Sequence, residues 1–278
     1  MDKAVILGIY NFVSFHFCKT LLNQGVEVVG VQIDKLDKSP FLEEKRLEVG
    51  RNANFSERSL TEWEKKRKED TTQTTLIFSL YDLYMENKEI ILQNEQIIRP
   101  IIQFIEENKN NPDIVFILPI QMLRSKQEKT IEAFIEQVRG FRKNIQMFYL
   151  PAVYGQWQPP SFLFQQAILS TFLKTDIIKD EREWTGDVLF VDDAIETIIE
   201  TIETGNHRDS ILESGRKNYW AECAAYLQLN ENIALDNRDQ SLQMDKQIGL
   251  VSVKKVTPIA DSIDAQIEHV QRLFQNGL

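Results

Sequence analysis

The sequence predicts an α/β protein: a doubly wound parallel sheet with a smaller C-terminal α/β lobe. Three observations carry that expectation. Residues 2–34, DKAVILGIYNFVSFHFCKTLLNQGVEVVGVQID, read as strand, tight turn, helix, strand and acidic residue. The span from first strand to second is about thirty residues, the length of a βαβ unit. Strands and helices then keep alternating as far as Leu150, and the strand segments are apolar runs of the kind buried in parallel sheets.

Taken in order, Ala4–Leu7 is a short apolar strand ending at Gly8. From Phe12 to Leu22 apolar residues recur at helical spacing, with Asn11 or Ser14 placed to cap the helix and Gly25 to end it. Val26–Ile33 is the second strand. Residues 35–75 are crowded with charge, including Glu64-Lys65-Lys66-Arg67-Lys68-Glu69-Asp70. Both signs are interspersed, so the run reads as a solvated helix face rather than a basic patch, with Trp63 packing the helix down. A short third strand is expected within Ala53–Leu60. Thr74–Leu80 is β-branched and apolar, the next strand. An apolar stripe marks a helix over 89–107, where Pro100 predicts a kink or a displaced start. Asp113–Leu118 is a strand, Ser125–Arg139 a helix with Glu128, Glu132 and Glu136 along one face, and Ile145–Leu150 a further strand. This alternation predicts a Rossmann-type sheet with helices on both faces and right-handed crossovers.

Beyond Leu150 the pattern loosens. A proline-bounded aromatic loop (Pro151–Pro160) leads to a helix over Ser161–Leu173 and a strand over Trp184–Phe190. Val191-Asp192-Asp193 is placed to cap a helix over Ala194–Thr204. A short strand (Ser210–Glu213), a helix (Tyr219–Leu227), a polar loop and a last helix (Ser262–Phe274) follow. The expected organisation is a Rossmann-like domain over 1–150, to which 185–205 returns, and a smaller lobe over 151–278 packed onto it.

Bulk properties narrow the class. The 278 residues suffice for a main domain with a smaller lobe, and 42% hydrophobic content supports a real core. A net charge of −10 disfavours nucleic acid and anionic membranes as partners. Cys18 and Cys223, the only cysteines, read as small buried hydrophobes. None of His16, His207 and His269 has ligand spacing, so no metal site is expected. No apolar run reaches the ~18–20 residues needed to span a membrane. The chain opens on a strand after Met1-Asp2-Lys3, without the apolar region of a signal peptide, so a soluble cytoplasmic protein is expected.

Several segments together resemble one family, the extended short-chain dehydrogenases/reductases of the NAD-dependent epimerase/dehydratase type. ILGIYNFVSFHFCKTLLNQGVEVVGVQID resembles that family's first βαβ unit, and NEQIIRPIIQFIEE its Asn-containing helix after the fourth strand. Ser125-Lys126 with Glu128 is similar to its Ser-Lys segment. PAVYGQWQPP is similar to its Pro-x-x-Val-Tyr-Gly-Pro loop, FVDDAIETIIETIE to its Val-Asp-Asp helix, and TPIADSIDAQIEHV to its Thr-Pro-led final helix. The matches fall in the family's order over nearly the whole chain.

The departures from that pattern bear on function. The resemblance implies Gly-x-x-Gly-x-x-Gly in the first turn, where this chain has Gly8, Asn11 and Ser14. The first glycine permits the tight turn, the second lets the backbone approach a pyrophosphate, and the third lets helix and strand pack closely. Asp34 matches the family acid that bonds the adenosine ribose; as a bare sequence feature it reads equally as a surface turn residue. Ser59 stands where the family has an aspartate against the adenine, and Ser79-Leu80-Tyr81 replaces small residues lining the cofactor, with Tyr81 crowding that channel. The implied catalytic pair is Tyr-x-x-x-Lys. Lys126 fits its lysine, but Met122 occupies the tyrosine position and has no transferable proton. The strand DIVFIL runs through Pro119-Ile120-Gln121-Met122 into Ser125-Lys126, so the usual active-site loop looks deleted. Tyr154 and Tyr81 are the nearest substitutes, and both read better as packing residues.

The expectation is therefore a catalytically degenerate protein with a regulatory, scaffolding or ligand-sensing role. Its remnant cofactor residues are Gly8, Asn11, Ser14 and Asp34, Lys126 is a remnant of the catalytic pair, and NAD(P) is bound weakly or not at all. The alternative is an active NAD(P)-dependent epimerase, dehydratase or reductase on a nucleotide-sugar or similar small molecule, with rearranged acid/base groups. The resemblance further implies a homodimer through the helices over 89–107 and 125–139, with Ile97, Ile98, Ile101, Ile105, Ile131, Phe134, Ile135 and Val138 as candidate apolar faces. A regulatory or scaffolding role would also be compatible with an unidentified protein partner.

Overall fold

The computed structural model describes residues 1–33, 41–66, 74–107, 113–124, 129–141, 144–205, 208–229 and 248–275. The chain begins with β1 (Lys3–Leu7), α1 (Phe12–Asn23), β2 (Glu27–Gln32), α2 (Leu42–Val49), β3 (Phe55–Ser59) and α3 (Leu60–Lys66). There follow β4 (Thr75–Ser79), α4 (Leu80–Met85), a 3-10 turn (Glu89–Gln93), α5 (Glu95–Glu107), β5 (Asp113–Pro119), a second 3-10 turn (Ile120–Leu123), α6 (Lys129–Phe141) and β6 (Ile145–Leu150). The second half contributes β7 (Ala152–Tyr154), α7 (Leu163–Leu173), β8 (Val188–Phe190), α8 (Val191–Glu203), β9 (Ser210–Glu213), α9 (Tyr219–Tyr226), β10 (Gly249–Ser252) and α10 (Ile259–Gln275).

Eight strands form one parallel sheet in the order β3-β2-β1-β4-β5-β6-β9-β10, and β7 and β8 pair separately, also in parallel. Both faces are covered. Ala4 and Ile6 of β1 face the layer containing α1 and α8, while Val5 and Leu7 face the layer containing α3, α5 and α6. A strand buried on both sides has to be apolar at every position, which is why β1 and β5 read as unbroken runs. A third cluster, including Tyr154, Leu163, Phe164, Trp220 and Ile263, is the core of the smaller lobe. Segments after residue 150 serve both parts: β9 and β10 extend the main sheet, and α8 packs on α1.

Local chemistry sets several element ends. Gly25, at φ +80°, follows α1 in the left-handed region, as a helix-terminating glycine does. Pro100 displaces the helix start rather than breaking it. A 3-10 turn covers 89–93, Asn94 Oδ1 accepts from the Gln96 amide at 3.0 Å, and α5 begins at Glu95 with Pro100 in its second turn.

Four expectations are corrected. The Pro151–Pro160 stretch is not all loop, since Ala152–Tyr154 pairs with β8. The strand expected over Trp184–Phe190 is confined to Val188–Phe190. The last sheet strand, β10, lies within the stretch read as a polar loop. Helix α8 starts at Val191 with Phe190 at the capping position, so Asp192 and Asp193 are first-turn residues and not its caps. Their carboxylates are used elsewhere. Asp192 Oδ1 lies 2.5 Å from His16 Nδ1, and Asp193 accepts from the Thr257 amide (2.7 Å) and hydroxyl (2.6 Å), fixing the start of α10.

Candidate functional site

The strand order reverses between β1 and β4, so the crevice at their C-terminal ends is where an open α/β sheet presents a ligand. The first turn leaves β1 through Gly8 at φ +68°, whose amide donates to the Val31 carbonyl at 2.9 Å, and closes when the Asn11 amide donates to the Gly8 carbonyl at 2.9 Å. The Asn11 side chain lies against Gly8: a Cβ added there would meet Asn11 Nδ2 at 2.6 Å. Asn11 takes the capping position of α1 without a side-chain capping bond.

The free amides of α1 are satisfied from across the switch point. Val13 and Ser14 donate to Oδ1 and Oδ2 of Asp82 at 3.0 and 3.2 Å. Asp82 is buried on α4, directly after β4, and Ser79 caps that helix by accepting the Asp82 amide at 3.3 Å. Burial pushes the Asp82 carboxyl up to about 6, against the pull of the Val13 and Ser14 amides. Helix N-termini attract anions, and here the anion belongs to the chain itself. Ser14, which the sequence singled out, is fully buried with its amide in this pair.

The neighbouring positions are filled. Tyr81 is buried and its hydroxyl oxygen accepts the Val153 amide at 3.2 Å, tying α4 to β7. Its pKa is raised well above the ordinary tyrosine value, by burial first and then by Glu183 and Asp82. Tyr154 is buried against Ser262 (2.7 Å between oxygens) and is likewise shifted up by burial. Met122 is buried in the apolar layer beneath α6. Ser59 caps the next helix: its amide and hydroxyl donate to Glu62 Oε2 at 2.9 and 2.8 Å, and its oxygen accepts the Glu62 amide at 3.3 Å, a capping box at the start of α3. Asp34 and Lys126 lie outside the described residues, as do Ser125 and Glu128.

The mouths of β4 and β5 are covered by the segment preceding β8. Arg182 donates to the Tyr84 carbonyl at 2.7 Å and to Glu89 at 2.8 Å, with its guanidinium over the Tyr84 ring, and Gln121 Nε2 donates to the Arg182 carbonyl. Next to it, buried Glu183 accepts the Leu163 amide at 2.9 Å at the start of α7. Burial raises its carboxyl to about 7.

Sequence reasoning missed Asp82, Arg182, Glu183 and His269. Only Asp82 carried a signal, an acid one turn past a strand, directly after the Ser79-Leu80-Tyr81 stretch that departs from the family pattern. Reading it requires knowing that β4 lies beside β1. Among the described residues no group of three or more His, Cys, Asp or Glu is placed to hold a metal ion, and no helix is long and apolar enough to cross a membrane.

No protein-family model matches this sequence, and no curated protein does. Solved structures do match it over their full length. UDP-glucuronic acid 4-epimerase from Bacillus cereus, in complex with UDP-glucuronic acid and NAD, superposes with a TM-score of 0.69 at 14% identity, covering 98% of this chain and 99% of the epimerase. An NAD-dependent NDP-hexosamine 5,6-dehydratase of tunicamycin biosynthesis gives 0.65 at 14% identity, covering 98% of each chain. dTDP-glucose 4,6-dehydratase from Bacillus anthracis, in complex with NAD, gives 0.63 at 10%, covering 100% of this chain and 97% of that one. The chain thus has the complete fold of these NAD-dependent epimerases and dehydratases.

Proposed function

We propose that this chain is a non-catalytic relative of the nucleotide-sugar epimerases and dehydratases, which keeps their scaffold for a regulatory, scaffolding or ligand-sensing role and binds NAD(P) weakly or not at all. The observation that carries this reading is the Asp82 carboxylate on the Val13 and Ser14 amides. A pyrophosphate brought to the same amides would meet a buried carboxylate, and like charges in a desolvated site repel strongly. Asn11 against Gly8 and the buried Tyr81 ring take up further space, so the residues present do not fit a dinucleotide at this turn.

The proton chemistry points the same way. Hydride transfer coupled to proton transfer needs a group that gives and takes a proton near neutral pH. Met122 has none, and the two tyrosines that could stand in for it, Tyr81 and Tyr154, are held well above the useful range by burial. Asp82 and Glu183 titrate closer to neutrality, but each has its carboxylate on main-chain amides inside the protein. As to assembly, we propose a homodimer, formed through the outer faces of α5 and α6.

The test is a titration with NADH and NADPH, read by energy transfer from the four tryptophans. The expected result is no saturable binding at millimolar cofactor. Saturable binding together with turnover of a UDP-sugar would overturn the proposal in favour of an active enzyme.

A further inference from the structure

Beside the first turn, between α2, the loop after β7, α7 and α10, lies a cavity of about 650 Å³. Its wall is largely aromatic and aliphatic, with Tyr10, Phe12, Phe41, Trp157 and Leu273 contributing, and Gln158 and Gln165, whose side-chain oxygens both accept from Gln266 Nε2, add polar groups. Four features set it apart from a packing defect. Its size is that of a small-molecule site. His269, on α10, lines it at 7% exposure, and neither ring nitrogen has a hydrogen-bond partner. The imidazole is kept neutral, its pKa lowered to about 4, mainly by burial. Finally, Phe41 and Trp157 both hold φ +64°, a left-handed conformation that bulky side chains seldom adopt. Trp157 is pinned there by a bond from Nε1 to Glu48 at 3.0 Å and by the His269 ring 4.2 Å away.

The charges at the wall are already matched. Lys45 Nζ donates to the Tyr10 carbonyl at 2.7 Å and sits over the Phe15 and Trp157 rings, and Glu86 pairs with Lys88 at 2.9 Å. An ionic ligand would gain little there and would lose its hydration. A neutral ligand with one polar group would instead supply the hydrogen bond that His269 lacks.

We propose that this cavity binds an uncharged, largely aromatic small molecule whose single hydroxyl or amide group hydrogen-bonds His269. The inference rests on the ligand-sensing form of the function proposed above and names its ligand class. The probe is N-phenyl-1-naphthylamine, titrated into the full chain and displaced by 1-naphthol or its near-isostere 1-methylnaphthalene. One saturable site is expected, with 1-naphthol favoured about tenfold, the worth of one net hydrogen bond. In His269→Phe, which keeps the ring and removes both nitrogens, that preference should vanish while 1-methylnaphthalene binds as before. In Leu273→Trp, which fills the cavity, probe affinity should fall at least tenfold with an unchanged melting transition. Absence of saturable probe binding, or equal affinity for the two displacers in the wild type, would overturn the proposal. NADH binding that leaves the probe and its displacement pattern intact would refute only the closed dinucleotide turn.

Discussion

At Asp82 two forces oppose. Burial disfavours its charge, while the Val13 and Ser14 amides favour it, and burial wins by enough to lift the carboxyl from 3.8 to about 6. The folded state therefore holds this proton over a pH range in which the unfolded chain has already lost it. Stability on this account is greatest below about pH 4 and declines as pH rises to about 6. A shift of two units corresponds to about 3 kcal/mol. We expect the stability of wild type relative to Asp82→Asn to fall by about that amount between pH 4 and 7 and to stay level above, measured by denaturant unfolding at each pH. A second prediction concerns what the carboxylate replaces. Asp82→Ala leaves two buried amides open, which should cost about 1–3 kcal/mol. If the carboxylate stands where a phosphate group would bind, millimolar inorganic pyrophosphate should raise the melting temperature of Asp82→Ala and leave wild type unmoved. Equal shifts in both proteins would place the anion elsewhere.

Among the elements, the segment between α7 and β8 is anchored across the residues that follow β4 and β5. Arg182 holds it to Tyr84 and Glu89, and Glu89 is itself buried, with Oε2 lacking a partner. Removing the guanidinium would strand that carboxylate. Arg182→Ala should therefore cost about 3 kcal/mol or more, whereas Lys254→Ala, which breaks the exposed pair with Glu200, should cost well under 1 kcal/mol. Urea unfolding of the two variants gives the comparison, and limited proteolysis should cut within 174–187 faster in the first. Equal costs would mean that the clamp is ornamental. None of this was legible in sequence, because Arg182 meets partners about ninety residues away and no periodicity encodes that. What could be read was local. The runs of β1, β4 and β5, the glycine after α1 and the α5 stripe each follow from neighbours in the chain, and each was placed within a few residues. Where neighbours misled, a tertiary bond had claimed the residue: Asp192 and Asp193 have cap chemistry, but His16 and Thr257 hold them.

At the scale of the molecule, the apolar stripes of α5 and α6 are consumed by the sheet. Of the residues expected to supply a dimer face, all except Ile97 are buried against it, among them Ile101, Ile105, Ile131 and Val138. The exposed positions of these helices include Glu95, Arg99, Lys129, Glu136 and Arg139. An apolar stripe read from sequence cannot say which partner covers it, and here the core does. A two-fold contact through the remaining surface would be self-complementary and polar, with arginines of one copy opposite glutamates of the other. Such an interface gains little per pair and is screened by salt, since the Debye length shrinks from about 10 Å at 0.1 M to about 3 Å at 1 M. We expect light scattering to give a dimer mass at tens of micromolar protein in low salt and a monomer mass in 1 M salt, consistent with weak association. The double variant Arg99→Glu/Arg139→Glu should be monomeric in low salt too, because it sets like charges against each other at exposed positions, giving up only the Arg139 contacts to Glu136 and to Met147 Sδ. A dimer indifferent to salt and to these substitutions would have to use another face, and a monomer under all conditions would remove the homodimer proposal.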